Sequence, residues 1–314
     1  MNFREMAVRV RVARRGTCED EVAPRPPPPL MQRFVQFPHP GREAGPDRQA
    51  WPRADADHRR KFVVAQARYR RSIDGPDEHG LVTAWVEWEA ASECRERPRS
   101  GLAGLPEWVH RPIAPARSPA HERIPQNTDP LVFGEPMLTT FCRQPGSRRL
   151  RAIGRGSVLV FGSRVRGAFV IDTALVVAET VRHERTDYRA RLAGKIDPLA
   201  IELTLEPMYA HRVTGPFNAM LGASPQEPVD GMFSFVPCLP VDDAIRGFAR
   251  PDVGAIKGLN PNNWRAAAFN DEIGASEFPG LWRHLAERVL GDGLSLATRL
   301  NIPADDVFAR SSLR

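Results

Sequence analysis

The clearest periodic signal in the chain is a pair of runs with period two, KFVVAQARY at 61–69 and LVTAWVEWEA at 81–90. Between them SIDGPDEHG carries Asp-Gly-Pro and His-Gly turn chemistry, so the pair predicts an antiparallel hairpin. In the second run Val82, Ala84, Val86, Trp88 and Ala90 share one face, while Thr83, Trp85, Glu87 and Glu89 share the other. That alternation points Trp88 into a core and leaves Trp85 among carboxylates. MQRFVQF, from Met31, alternates like a short strand. GSVLVFGS (156–163) and GAFVIDTALVVAE (167–179) are apolar on both faces and predict a central strand pair joined by a Ser-Arg-Val-Arg turn. DGMFSFVPCLP (230–240) reads as a further strand ending at proline. IELTLEPM (201–208) fits strand or helix, because Asp197-Pro198 before it is also a helix-start signal. SEFPGLWRHLAERVLG (276–291) predicts a helix with Leu281, Leu285, Val289 and Leu290 along its apolar stripe and Gly291 at its end. The expected fold class is α+β: a largely antiparallel β-sheet or small barrel with helices toward the C-terminus.

Two stretches lack any period. Residues 1–30 are rich in Arg and Pro, end in PRPPPPL, and have the composition of a disordered extension, so Met31 is the expected start of the folded part and 31–314 a single α+β domain. Residues 95–136 hold eight prolines and predict a long irregular excursion, of a kind that often carries function. GSVLVFGSRVRGAFVIDTALVVAE (156–179) resembles the strand pair of PUA-like barrels of the EVE and ASCH type, in which a Gly-Asp turn leads into a strand ending in an aromatic residue. Ser157 stands where that pattern has Asp. The resemblance implies a small barrel that grips a base or modified base, and no pocket residue is carried over from it.

Composition narrows the function classes. An apolar fraction of 42% in 314 residues supports a sizeable core. The apolar runs near 157–161 and 168–178 are too short to cross a bilayer, and the N-terminal residues lack the apolar stretch of a secretory signal. A cytoplasmic protein with no membrane partner is expected. Cys18, Cys94, Cys142 and Cys238 lie far apart, with no C-x-x-C and no zinc-finger spacing, so neither a disulfide framework nor a metal site is suggested. There is no phosphate-binding P-loop, no G-x-S-x-G and no H-E-x-x-H, and the GRG at 154–156 precedes a strand instead of following one. No cofactor is expected. The formal charge of +6 raises a polyanionic partner. Only Lys61, Lys195 and Lys257 among the 44 basic residues are lysine, an arginine bias that makes placement more informative than total.

Placement singles out one region. Between Glu135 and Asp172 there is no acid, yet Arg143, Arg148, Arg149, Arg151, Arg155, Arg164 and Arg166 all occur. Guanidinium forks suit phosphate oxygens. Just before them Gln126 and Asn127 offer amides for a base edge, Asp129 a carboxylate, and Phe133 and Phe141 stacking surfaces, with Trp85 a further ring. The leading expectation is a protein that binds nucleic acid or a nucleotide, with Arg143, Arg148, Arg149 and Arg151 on phosphate, Gln126, Asn127 and Asp129 on polar edges, and Phe133 and Trp85 stacking. Against it stands a plain turn at Asn127–Pro130 with both phenylalanines in the core. A second expectation is an enzyme for a small or nucleotide-like anion, with Asp129 or Asp172 in acid-base work. A third is an interaction module using the proline-rich excursion. Asp172, inside an apolar strand, calls for an Arg partner or a pocket. Cys142 next to Arg143 invites a nucleophile reading, but no histidine lies nearer in sequence than His121, so a small buried cysteine is expected. The acidic groups at 55–58 and at Asp74, Asp77, Glu78 and His79 read as solvated turns.

Overall fold

The alternating runs build two six-stranded sheets. A computed structural model describes residues 28–39, 43–44, 59–90, 92–97, 105–112, 128–211, 215–254 and 267–301. Its strands are β1 (Phe34–His39), β2 (Arg60–Arg70), β3 (Glu78–Glu87), β4 (Ser92–Glu96), β5 (Trp108–Pro112), β6 (Leu138–Thr139), β7 (Val158–Val165), β8 (Ala168–His183), β9 (Phe217–Gly222), β10 (Val236–Pro240), β11 (Ala268–Phe269) and β12 (Ser295–Leu300). The helices are α1 (Tyr188–Leu192), α2 (Pro198–Ala200), α3 (Glu206–His211) and α4 (Phe278–Gly291), with a π-helical turn at Ile201–Leu205 between α2 and α3. The α+β class is as the sequence implies, mostly sheet with few helices. The arginine- and proline-rich residues 1–27, Cys18, the acidic group at 55–58, Gln126, Asn127 and most of the proline-rich excursion lie outside the described residues.

β2 and β3 form the expected hairpin, in register from Arg60↔Glu87 to Tyr69↔Glu78. β10 adds to β3, β12 adds to β10, and β12 also pairs with β2, which closes a four-stranded antiparallel barrel. Closure leaves these four strands without a free edge between them. The ribbon of β4 and β5 extends from β2, giving regular structure to part of the stretch expected to be irregular. The other sheet runs β11-β1-β7-β8-β9-β6 and is antiparallel except for the parallel β1–β7 pair. A small barrel is therefore present, but residues 156–179 form β7 and β8 of the other sheet.

Period two divides the side chains between two cores. In β3, Val82, Ala84, Val86 and, beyond the strand end, Trp88 and Ala90 enter one core with Leu131, Phe133, Leu159 and Phe161. Trp85 on the opposite face enters a second core with Phe62, Val158, Val160 and α4. It packs on Phe62 and donates its indole N–H to the Phe248 carbonyl at 2.9 Å, where the alternation suggests a carboxylate environment. Asp197 settles the 201–208 segment as helical by accepting the Leu199 amide at 2.8 Å, with Pro198 pre-set at the first helical position. In α4 the buried arc is Phe278, Trp282, Leu285, Ala286 and Val289, so the stripe is rotated from the expected one and Leu281 and Leu290 sit at its margins. Trp282 decides the rotation: its ring packs on Phe233 and its N–H donates to the Phe233 carbonyl at 2.8 Å. No helix among the described residues is long and apolar enough to cross a membrane.

Candidate functional site

The segment after β6 is held by buried polar side chains. Asp129, 1% exposed, accepts the backbone N–H groups of Thr140 (3.1 Å), Phe141 (2.8 Å) and Cys142 (2.5 Å). Burial raises its carboxyl above the ordinary range, opposed by hydrogen bonds from Thr139 and those three amides. Arg143 then turns the chain through the left-handed region at φ 60°, a conformation uncommon for a residue with a Cβ. Gln144 is fully buried: its amide donates to the carbonyls of Thr140 and Asn218, and its oxygen accepts the Asn218 N–H at 2.8 Å. Asn218 in β9 in turn donates to the Arg151 carbonyl at 2.7 Å. Backbone groups that would otherwise be orphaned in this irregular stretch are thus satisfied by three side chains. An Asp129→Asn substitution replaces one acceptor oxygen by a donor facing amide N–H groups. It is expected to lower stability by about 2–3 kcal/mol in urea titration, and an unchanged midpoint would show that the carboxylate does not hold the turn.

The arginine run is split by the fold. Arg143 and Arg148 are exposed, and Arg148 has no ion pair among the described residues. Arg149 lies 4.1 Å over the Phe269 ring and pairs with Asp271 at 2.5 Å, an acid it shares with Arg33. Arg151 donates to the Gln144 carbonyl and Arg155 to the Ala178 carbonyl. Arg164 and Arg166 stand at the β7–β8 turn, at the other end of β7 from Arg155. Hence only Arg143 to Arg155 share one segment.

The aromatic residues expected to stack are core residues. Phe133 is fully buried 4.8 Å from Trp88, Phe141 is buried against Phe217, and Trp85 has Arg250 over its ring at 5.2 Å. None offers a face to solvent, because both faces of the central strands are covered by the two cores. The polar edge readers Gln126 and Asn127 lie outside the described residues.

Asp172 finds its arginine, and the pair is one link of a longer buried chain. Its Oδ2 accepts from Arg60 Nε at 2.7 Å, its Oδ1 lies 3.5 Å from Arg250, and Ser163 Oγ is 3.4 Å away. Arg60 reaches across to Glu87 with its other arm at 2.6 Å. Glu87 Oε2 also receives His39 Nδ1 at 2.6 Å, and His39 Nε2 lies 3.4 Å from Cys142 Sγ. Arg60, Glu87 and Asp172 are 1–3% exposed. Burial by itself would lower the Arg60 pKa, but Glu87 and Asp172 outweigh it and hold the guanidinium charged. Both candidate carboxylates, Asp129 and Asp172, are thus fully engaged by protein donors. Burial pushes the Cys142 thiol well up; Asp129 and Glu87 act in the same direction, while Arg143 and Arg60 oppose them.

Sequence reading missed His39, Glu87 and Arg60 because no local signal marks them. Cys142 and His39 are 103 positions apart, and the histidine that its own segment lacks comes from the end of β1. Among the described residues no group of three or more His, Cys, Asp or Glu forms a metal cage. Comparison with models of protein families, with curated proteins and with solved structures finds no match to this chain.

Proposed function

We propose that the protein binds a phosphate-bearing ligand, nucleic acid or nucleotide, along the segment from Arg143 to Arg155. One observation carries the reading: this acid-free segment is held in a single shape by buried Asp129, Gln144 and Asn218 while Arg143 and Arg148 project to solvent. Preformed backbone lowers the ordering cost of binding. Arg149, stacked on Phe269, is presented as a planar fork whose one acidic partner is 65% exposed at its side chain, so a phosphate competes with it on favourable terms. Stacking on the base is not supplied by Phe133 or Trp85, which leaves the backbone phosphates as the main point of attachment and predicts weak sequence preference.

Fluorescence anisotropy with single-stranded DNA, duplex DNA and RNA, each across a salt series, tests the proposal. Saturable binding that weakens steeply with salt is expected. Arg148→Gln with Arg149→Gln should reduce the slope of log K against log salt by ~0.7–0.9 for each phosphate that is no longer neutralised. A wild-type slope in the double variant, or no binding at low salt, overturns it.

A further inference from the structure

We propose that Cys142 is a nucleophile served by His39 as proton acceptor, with Glu87 positioning the imidazole, and that its substrate is an acyl compound, an ester or amide attacked at the carbonyl carbon. The juxtaposition is specific in its geometry. A carboxylate only accepts, so the 2.6 Å approach to Glu87 places the ring proton on Nδ1 and leaves the Nε2 lone pair facing the thiol 3.4 Å away. Glu87 is fixed in turn by Arg60, whose charge is balanced by Asp172. His39 is further held edge-on against Phe161. On the other side, Asp129 clamps the Cys142 amide and Arg143 makes a sharp left-handed turn directly after it, so the sulfur sits on a rigid corner. Nucleophile, base and orienting group come from a loop, β1 and β3, three elements that share no local sequence signal.

The two other described cysteines lack this arrangement. Cys238 is fully buried in the barrel. Cys94 is partly exposed, like Cys142, and sits opposite His110 across the β4–β5 pair. Both ring nitrogens of His110 are engaged, by Ser92 Oγ at 3.0 Å and by the Ala44 carbonyl at 3.2 Å. Cys94 is therefore an internal control: a thiol opposite a histidine whose two nitrogens bind Ser92 and Ala44.

The chemistry follows from the proton. A thiol whose pKa is raised by desolvation stays protonated at rest, so attack requires a base, and the same base then carries a proton for the leaving group. The thiol proton passes to His39 Nε2 as sulfur bonds to the carbonyl carbon. The tetrahedral oxyanion collapses with cleavage of the C–O or C–N bond, and the departing alkoxide or amine takes the proton from Nε2. Water, giving its proton to the freed Nε2, then attacks the thioester; the C–S bond breaks, the acid leaves, and the sulfur takes back the proton from Nε2. No electrons are exchanged and only water is consumed. A peroxide reaction would use the same proton but consumes an oxidant, whereas acyl transfer consumes only water.

p-Nitrophenyl acetate reacted with the full chain tests the proposal, with released p-nitrophenol followed optically and the acetylated peptide located by mass spectrometry. A stoichiometric burst with acetyl on Cys142 is expected, absent in Cys142→Ala and unchanged in Cys94→Ala. His39→Ala should slow acylation by about a hundredfold or more, with added imidazole restoring part of the rate, a rescue that a structural histidine would not show. Glu87→Gln should lower the acylation rate and leave KM unchanged. Thermal melting of each variant separates loss of folding from loss of chemistry, and Cys142→Ala leaves the buried charges intact. Acetylation of Cys94 as fast as Cys142, a burst retained in Cys142→Ala, or a wild-type rate in folded His39→Ala overturns the assignment.

Discussion

Arg60→Met is expected to cost about 3–5 kcal/mol of stability. Arg60 is 1% exposed and spans from Glu87 on β3 to Asp172 on β8, so it neutralises carboxylates of both sheets at once. Methionine fills a similar volume, and packing loss is therefore small. What remains is two carboxylates stripped of their nearest counter-charge where water does not reach, and an isolated buried charge is far costlier than a buried pair. Urea denaturation of the wild type and the variant measures the cost. Adding Glu87→Gln and Asp172→Asn to Arg60→Met should recover a large part of it, since the triple variant buries polar but uncharged groups. If the triple variant is no more stable than Arg60→Met alone, the penalty is one of shape and not of charge.

Acidification should act through His183 with nearly as large an effect. This histidine, at the end of β8, is fully buried, with Nδ1 2.7 Å from the Tyr209 hydroxyl and Tyr188 packed against Tyr209. Burial lowers its pKa to about 4 from an ordinary 6.5, and the nearby Asp187 opposes this without overcoming it. The unfolded chain therefore takes up the proton near pH 6.5 while the folded chain resists until about pH 4. Stability from the neutral ring is complete above pH 6.5 and drains away as the pH falls through that window, by about 3 kcal/mol in total. Many carboxylates also titrate there, so the decisive quantity is a difference. Wild type minus His183→Gln should shrink by that amount between about pH 7 and pH 4; a difference independent of pH would mean that the ring takes up its proton as readily in the fold as in the unfolded chain.

The two functional proposals occupy the same segment but do not depend on each other. The first places phosphate at Arg148 and Arg149 on the surface, whereas the second places chemistry at Cys142 and His39, at the corner where the segment begins. Loss of the salt-dependent binding would leave the thiol chemistry standing, and loss of the burst would leave the arginine face standing.

Local order is legible in the residues themselves. The β2–β3 hairpin, the β7–β8 pair, β1, β10 and α4 each announce themselves by period and by turn or cap chemistry, because those depend on neighbours a few positions away. β9 and β12 are not legible: FNAMLG and SLATRL are short, and Arg299 in β12 interrupts an otherwise buried strand. Period two shows which side chains share a face but not what covers it. It places Trp85 among carboxylates and leaves Phe133 free to meet a ligand, yet both are core, since the fold packs a layer on each side of the strands. Asp172 illustrates the same limit: its cost in an apolar strand calls for an arginine, and only the packing of the two sheets chose Arg60, 112 positions away. Long-range pairing decided the rest. Closing β12 onto β2, parting Arg164 and Arg166 from Arg143 to Arg155, and setting His39 beside Cys142 are outcomes of burying every apolar face simultaneously, a condition on the whole chain that no window of sequence contains.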